Sequence, residues 1–123
     1  MYKAIGRKTW IFPDAELPPA GEFALKGHES IIVLNCSEKQ AEIEVVVYFE
    51  DKMPAKQSGL KVDSGRVRCF RMDIPDDIGG IVIPRETQYA IRLESSLPVV
   101  VQYGRLDTRQ QNMAFYTCMG YSV

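Results

Sequence analysis

Histidine is almost missing from this chain: His28 is the single one among 123 residues. A Ser-His-Asp or Cys-His catalytic arrangement would have to rest on that imidazole, and no Ser or Cys stands in a nucleophile-elbow context. Cysteine is scarce too. The three present, Cys36, Cys69 and Cys118, are odd in number and widely spaced, so neither a disulfide framework nor a CxxC metal knuckle is indicated. Each lies among apolar neighbours and reads as a small buried hydrophobe. An excess of either charge is also missing: 15 Lys and Arg face 16 Asp and Glu, which argues against a strongly electropositive nucleic-acid surface. No segment approaches the ~18 consecutive apolar residues of a membrane span. The opening stretch MYKAIGRKTWIFPDAELPPAG has no sustained apolar signal core, so the expectation is a cytoplasmic chain without membrane insertion. DDIGGIVIP lacks the spacing and following helix of a phosphate loop, and the PDD at 75–77 is too little for a metal. A carboxylate pair such as Glu29 with Asp107 can be drawn for glycoside hydrolysis, but sequence does not supply its separation. The reading is therefore a non-enzymatic protein with no cofactor.

What the chain does have is strand signal. At this length and 46% hydrophobic content, residues 1–123 form one ordinary domain with a real core. In AEIEVVVYFED, Ala41, Ile43, Val45, Val47 and Phe49 share one parity while Glu42, Glu44 and Glu50 take the other, which predicts a half-buried strand. SIIVLN precedes it across a polar CSEKQ of hairpin length, so residues 31–50 read as two antiparallel neighbours. GLKV, the turn DSG at 63–65 and RVRCFRM read as a second hairpin. TQYAIRLESS, with Thr87, Tyr89, Ile91 and Leu93 on one face, and LPVVVQYGRL follow as separate strands. The last segment admits a rival helix, because Asp107 followed by Gln110 could open one, but Phe115, Tyr116 and Thr117 fit a strand buried on both faces. The sum is an all-β, antiparallel sandwich of about seven to eight strands.

One stretch looks like a site. VVVQYGRLDTRQ, residues 99–110, starts as core strand and ends with Arg105, Asp107 and Arg109 at every second position. If the strand continues, these three project from one face roughly 6–7 Å apart. Two guanidiniums flanking a carboxylate could clamp a carboxylate, a phosphate or vicinal hydroxyls while Asp107 fixes their rotamers. The plainer alternative pairs them with each other or across a subunit seam.

That segment closely resembles the signature of the sensory rhodopsin transducer family, small soluble proteins whose namesake receives a signal from a microbial photoreceptor. IGRKTW, LPPAG, GHESIIVLN, VVVYFEDKMP and VIPRETQYA extend the likeness, in the same order, over nearly the whole chain. The resemblance implies a β-sandwich subunit, assembly into a homotetramer, and a module that binds a small molecule or a signalling partner, such as a membrane receptor, without performing chemistry. Family members have been compared with carbohydrate-binding domains, which makes a sugar-like metabolite one candidate ligand, and have been considered as DNA-associated regulators. Position by position, it carries over Trp10, His28, Glu29, Asn35, Tyr48, Gln102, Arg105, Asp107, Arg109 and Gln110 as the candidate ligand site. It also leads one to expect a histidine where this chain has Tyr103 and another where it has Arg85, so no pH-sensing role is carried to those positions.

Several of these residues have a second reading. Trp10 could stack a sugar ring, yet a lone Trp in a domain this size is more often core. His28 could titrate against a ligand or close a loop, and Asn35 stabilises a turn with or without one. A DNA-binding alternative rests on Lys61, Arg66, Arg68 and Arg71 around Phe70. On a strand Arg66 and Arg68 share a face and Arg71 lies opposite, so only weak, salt-dependent phosphate binding is expected of them.

Overall fold

The computed structural model describes residues 3–123. Its strands are β1 (Arg7–Glu16), β2 (His28–Asn35), β3 (Ala41–Phe49), β4 (Ala55–Val62), β5 (Arg66–Arg71), β6 (Gln88–Asp107), β7 (Ala114–Met119) and β8 (Tyr121–Ser122), with a short 3-10 turn at Pro75–Ile78. All pairings are antiparallel. One layer runs β4-β3-β6-β1-β8, and the other is β5-β2-β6-β7. The two inward faces close on a core that includes Phe12, Ile31, Val33, Ile43, Phe70, Ile91, Leu93 and Val101. The all-β sandwich expected from the alternating pattern is thus the fold.

The two layers share β6, because that strand turns a corner. Its first half pairs β3 as far as Ser95 opposite Ile43 and β1 as far as Val99 opposite Arg7, and its second half pairs β2 from Val100 opposite Leu34 onward. Pro98, which has no N–H to give a ladder, falls between the halves. The buried indole of Trp10 donates to the carbonyls of Arg7 at 3.0 Å and Val99 at 3.1 Å, tying β1 to this corner. What reads as two strands in sequence is therefore one strand of 20 residues.

Both hairpins read from the sequence are corrected by the pairing. β2 and β3 lie in different layers, and so do β4 and β5. The polar connections have hairpin length, but length alone does not say whether a chain turns back or crosses over. Asn35 makes the first crossing: buried, it donates to the carbonyls of Lys39 at 2.8 Å and Val62 at 3.0 Å and accepts from the Ser37 N–H at 2.9 Å. The true hairpins are β3–β4 and β6–β7.

The last segment is strand, not helix, but it is not buried on both faces; every residue of β7 is exposed. It pairs β6 on one side, and no layer covers its far side. The cysteines follow the same logic and are not core residues. Cys69 and Cys118 are exposed on the outermost strands β5 and β7, and Cys36 is half-buried.

Between β7 and β8 the chain passes from one layer to the other at Gly120. A Cβ there would lie 2.6 Å from the Ile11 carbonyl oxygen and 2.7 Å from the Phe12 ring. Gly120→Ala is accordingly expected to destabilise the fold by about 2 kcal/mol, read as a lower urea midpoint at unchanged slope.

Candidate functional site

Where the open ends of the bent strand β6 come together, the protein buries a carboxylate. Glu29, at the start of β2, is fully shielded from solvent. Its Oε1 accepts the Tyr89 hydroxyl at 2.6 Å; its Oε2 accepts the Tyr103 hydroxyl and the Glu16 N–H, the latter at 3.1 Å. The Arg105 Nε stands 3.9 Å from Oε2. Tyr89 belongs to the first half of β6, Tyr103 and Arg105 to the second, and Glu16 to the end of β1. One side chain therefore joins both layers. Burial pushes the Glu29 carboxyl above its ordinary range, against the opposing pull of the Tyr89 hydroxyl, the Glu16 N–H and Arg105. The Tyr89 hydroxyl is pushed up as well, by burial first and by the charge and hydrogen bond of Glu29 next.

The charged end of β6 is not a three-rung ladder. The strand stops at Asp107, and Arg109 lies in the bend beyond it. There Arg109 folds back on Asp107, with Nη2 2.5 Å from Oδ2, Nε 2.9 Å from the same oxygen, and its N–H 3.0 Å from Oδ1. The Arg109 guanidinium thereby pulls the Asp107 carboxyl down to about 2. Arg105 points elsewhere: its Nε donates to the Glu16 carbonyl at 3.3 Å, and its Nη1 is 4.0 Å from Asp107. The two arginines do not converge as a clamp.

Arg105 instead forms one side of a solvent-open recess of about 220 Å³, whose other walls are Asp14, Ala15, Glu16, Gln88, Tyr103 and Tyr116. Gln88 donates to Asp14 Oδ1 at 2.9 Å. Beyond Tyr103 and Tyr116 the recess continues into a more apolar groove of about 360 Å³ between β1 and β7, where Phe12, Cys118 and Tyr121 join the lining. The polar end thus offers one guanidinium, two carboxylates and an amide.

Of the residues read from sequence, only Glu29, Arg105 and Asp107, with Arg109 leaning on the last, are brought together at this end. Trp10 is in the core and Asn35 holds the β2–β3 crossing, so neither faces a ligand. His28 places Nδ1 2.7 Å from the Lys26 carbonyl and closes a loop. Gln102 and Gln110 are exposed, Gln102 on the outer face of the second layer and Gln110 in the β6–β7 turn. Tyr48 sits on β3 with the Arg92 guanidinium 5.9 Å from its ring centre, in the other layer. Arg85 reaches the carbonyls of Pro18 at 2.7 Å and Gly27 at 2.8 Å, which staples the loop before β2. In the basic stretch, Arg71 is paired bidentately with Asp73, Arg68 donates to the Lys61 carbonyl, and Arg66 to the Ser64 and Gly65 carbonyls. Those arginines are committed within the chain, while Lys61 is exposed.

Asp14, Glu16, Gln88, Tyr89, Tyr103 and Tyr116 belong to this candidate site and were not among the ligand residues read from the sequence. Their one signal was that Tyr89 shares a parity with Ile91 and Leu93, which marks it as inward-facing but does not name its partner.

Three comparisons bear on this geometry. The model of the family described as Anabaena sensory rhodopsin transducer matches residues 5–122. The crystal structure of Thermotoga maritima 1070 is similar over 96% of this chain and 96% of its own, with a TM-score of 0.85 and 30% identity. The Anabaena sensory rhodopsin transducer itself is similar over 83% of this chain and 99% of its own, with a TM-score of 0.71 and 30% identity. No curated protein sequence matches. With the family pattern covering all but the two ends, and the same fold in a transducer of that name, the chain belongs to the sensory rhodopsin transducer family.

Proposed function

We propose that this chain is a non-enzymatic signal-relay subunit of the cytoplasm that assembles as a homotetramer, reads a small polyhydroxylated molecule in the Arg105 recess, and passes its state to a receptor or other signalling protein. Family membership supports the relay. The observation that carries the ligand reading is the recess itself: a guanidinium held by the Glu16 carbonyl, facing Asp14, Glu16 and the Gln88 amide in a solvent-open hollow. A donor fork opposite carboxylate acceptors suits vicinal hydroxyls, which give and accept at once. A free anion is less well served, because the two carboxylates flanking Arg105 oppose it. No helix of the described residues is long and apolar enough to cross a membrane.

Thermal shift against a panel of monosaccharides and linear polyols, with nucleotides and organic acids alongside, tests this. A ligand that binds only the folded state raises the melting temperature, by an amount equivalent to about 2.7 kcal/mol at a hundredfold excess over its Kd. The expected result is a shift with a hydroxylated compound that is lost in Arg105→Ala while that variant stays folded. A panel without any shift, or a shift that survives the substitution, would remove the recess from consideration.

A further inference from the structure

We propose that the aromatic groove between β1 and β7 is a second binding site, for a small organic cation bearing a methylated ammonium group. Its lining includes Phe12, Asp14, Tyr103, Tyr116, Cys118 and Tyr121 around about 360 Å³, and among the described lining residues Asp14 is the one charged side chain. Three of the rings form a connected wall. Phe12 and Tyr103 have centroids 6.2 Å apart at 32°, and Tyr103 and Tyr116 6.2 Å apart at 52°, so consecutive rings meet at an angle without stacking flat, with Phe12 and Tyr103 at the buried floor. Ring faces carry the negative end of the aromatic quadrupole and attract a cation whose methyl groups shed water easily.

Asp14 supplies the complementary charge at the end of the groove, and Gln88 holds one of its oxygens at 2.9 Å, which limits its rotamers. A neutral apolar guest would fill the same volume but would cover this carboxylate without compensating it. An anion would meet Asp14 and the tyrosine faces together. The charge of the lining thus selects a cation, and the scarcity of polar groups selects one with an alkylated, weakly hydrated head. Arg105 does not line the groove, so the groove differs from the recess proposed for hydroxylated ligands in its cation, although Asp14, Tyr103 and Tyr116 border both.

Choline and tetramethylammonium chloride are the probes, titrated into the full-length protein at constant ionic strength and followed by amide and aromatic NMR shifts. The uncharged isostere 3,3-dimethylbutanol and sodium chloride serve as controls. The expected result is saturable movement of Asp14, Tyr116, Gly120 and Tyr121 signals by choline, with binding about tenfold weaker or more for the isostere. Asp14→Asn and Tyr116→Leu should each weaken choline by about tenfold, the second while keeping apolar bulk at an exposed position. Arg105→Ala should leave choline binding intact, even where it abolishes a response to polyols. Equal affinity for choline and its isostere, shifts that sodium chloride reproduces, unchanged binding by Tyr116→Leu, or loss of binding in Arg105→Ala would each overturn the assignment.

Discussion

Glu29→Ala is expected to lower the stability of the folded subunit by about 4 kcal/mol, because it strands two buried hydroxyls and a backbone N–H, each costing roughly 1–3 kcal/mol when left unpaired. Domains of this kind are stable by only about 5–15 kcal/mol, so the loss is a large share of the total. Urea denaturation reads it directly. Glu29→Gln keeps the shape and one acceptor and is expected to cost far less, about 1–2 kcal/mol at acid pH, with a tyrosine hydroxyl turned to accept from the amide. The two variants part company as pH rises. Because burial raises the Glu29 carboxyl above its unfolded value of 4.5, the folded state holds that proton more tightly than the unfolded chain. The resulting stabilisation is complete below 4.5 and is lost as pH climbs through the raised folded value. Glu29→Gln cannot ionise, so wild-type stability minus that of the variant should fall as pH rises from 4.5 through the raised folded value. Asp107 contributes with the opposite sign, present above its unfolded 3.8 and lost as pH drops through about 2, but both proteins carry it and it cancels in the difference. A difference that stays flat with pH would mean that Arg105 and the donors offset the burial and leave the Glu29 carboxyl at its unfolded value, and one that rises with pH would mean that they hold it ionised below that value.

The second large effect concerns assembly. The outer face of the β5-β2-β6-β7 layer is apolar over two rungs at one end, where a solvent-facing sheet would be polar. Val67, Leu34 and Val100 share one rung and Cys69, Ile32, Gln102 and Met119 the next, and Arg71, Ser30, Gly104 and Thr117 then interrupt the patch before Leu106 and Phe115 at the far end. Val67 is 62% exposed and Phe115 65%. In the proposed homotetramer, a second copy of the same face would cover this apolar patch through a two-fold axis. Val67→Glu should therefore raise the subunit dissociation constant by about a hundredfold or more, since a charge buried in such a contact is left unpaired, while changing the stability of the isolated subunit by no more than about 0.5 kcal/mol. Light scattering across a dilution series distinguishes the two. A wild type that stays monomeric at every concentration would dispose of both the tetramer and this face as its seam.

How much of this could be read from the amino acids depends on the range of the interaction. β3 was plain because Ala41, Ile43, Val45 and Val47 alternate against Glu42 and Glu44, and burial on one face is a local property of the strand. The hairpins were not, since the choice between turning back at CSEKQ and crossing the sandwich is made by Asn35 bonding to Val62, a partner 27 residues away. The same limit explains the site. The alternation of Arg105, Asp107 and Arg109 flagged the right end of β6, but Arg109 leaves the strand because its own backbone N–H and guanidinium both find Asp107. Glu29 entered the candidate ligand site through resemblance: in isolation a glutamate before SIIVLN looks like a solvent-facing strand end, and only Tyr89 and Tyr103 arriving from both halves of β6 make its burial tolerable. Cys69 and Cys118 misled for a related reason. Each has apolar residues close by, Val67 and Phe70 or Tyr116 and Met119, but apolar residues on an outermost strand face outward as readily as inward.

The corner in β6 also fixes when the chain can fold. Until that strand exists, β1 has no neighbour beyond the two-residue β8, and β2–β5 and β3–β4 are isolated two-stranded ribbons, which are marginal in water. A nascent chain leaving the ribosome therefore accumulates unpaired strands through its first two-thirds and closes both layers in one event as Gln88–Asp107 emerges. Such late, long-range closure is slow and leaves apolar edges uncovered meanwhile. The subunit should behave as a single kinetic unit, with neither layer able to form ahead of the other.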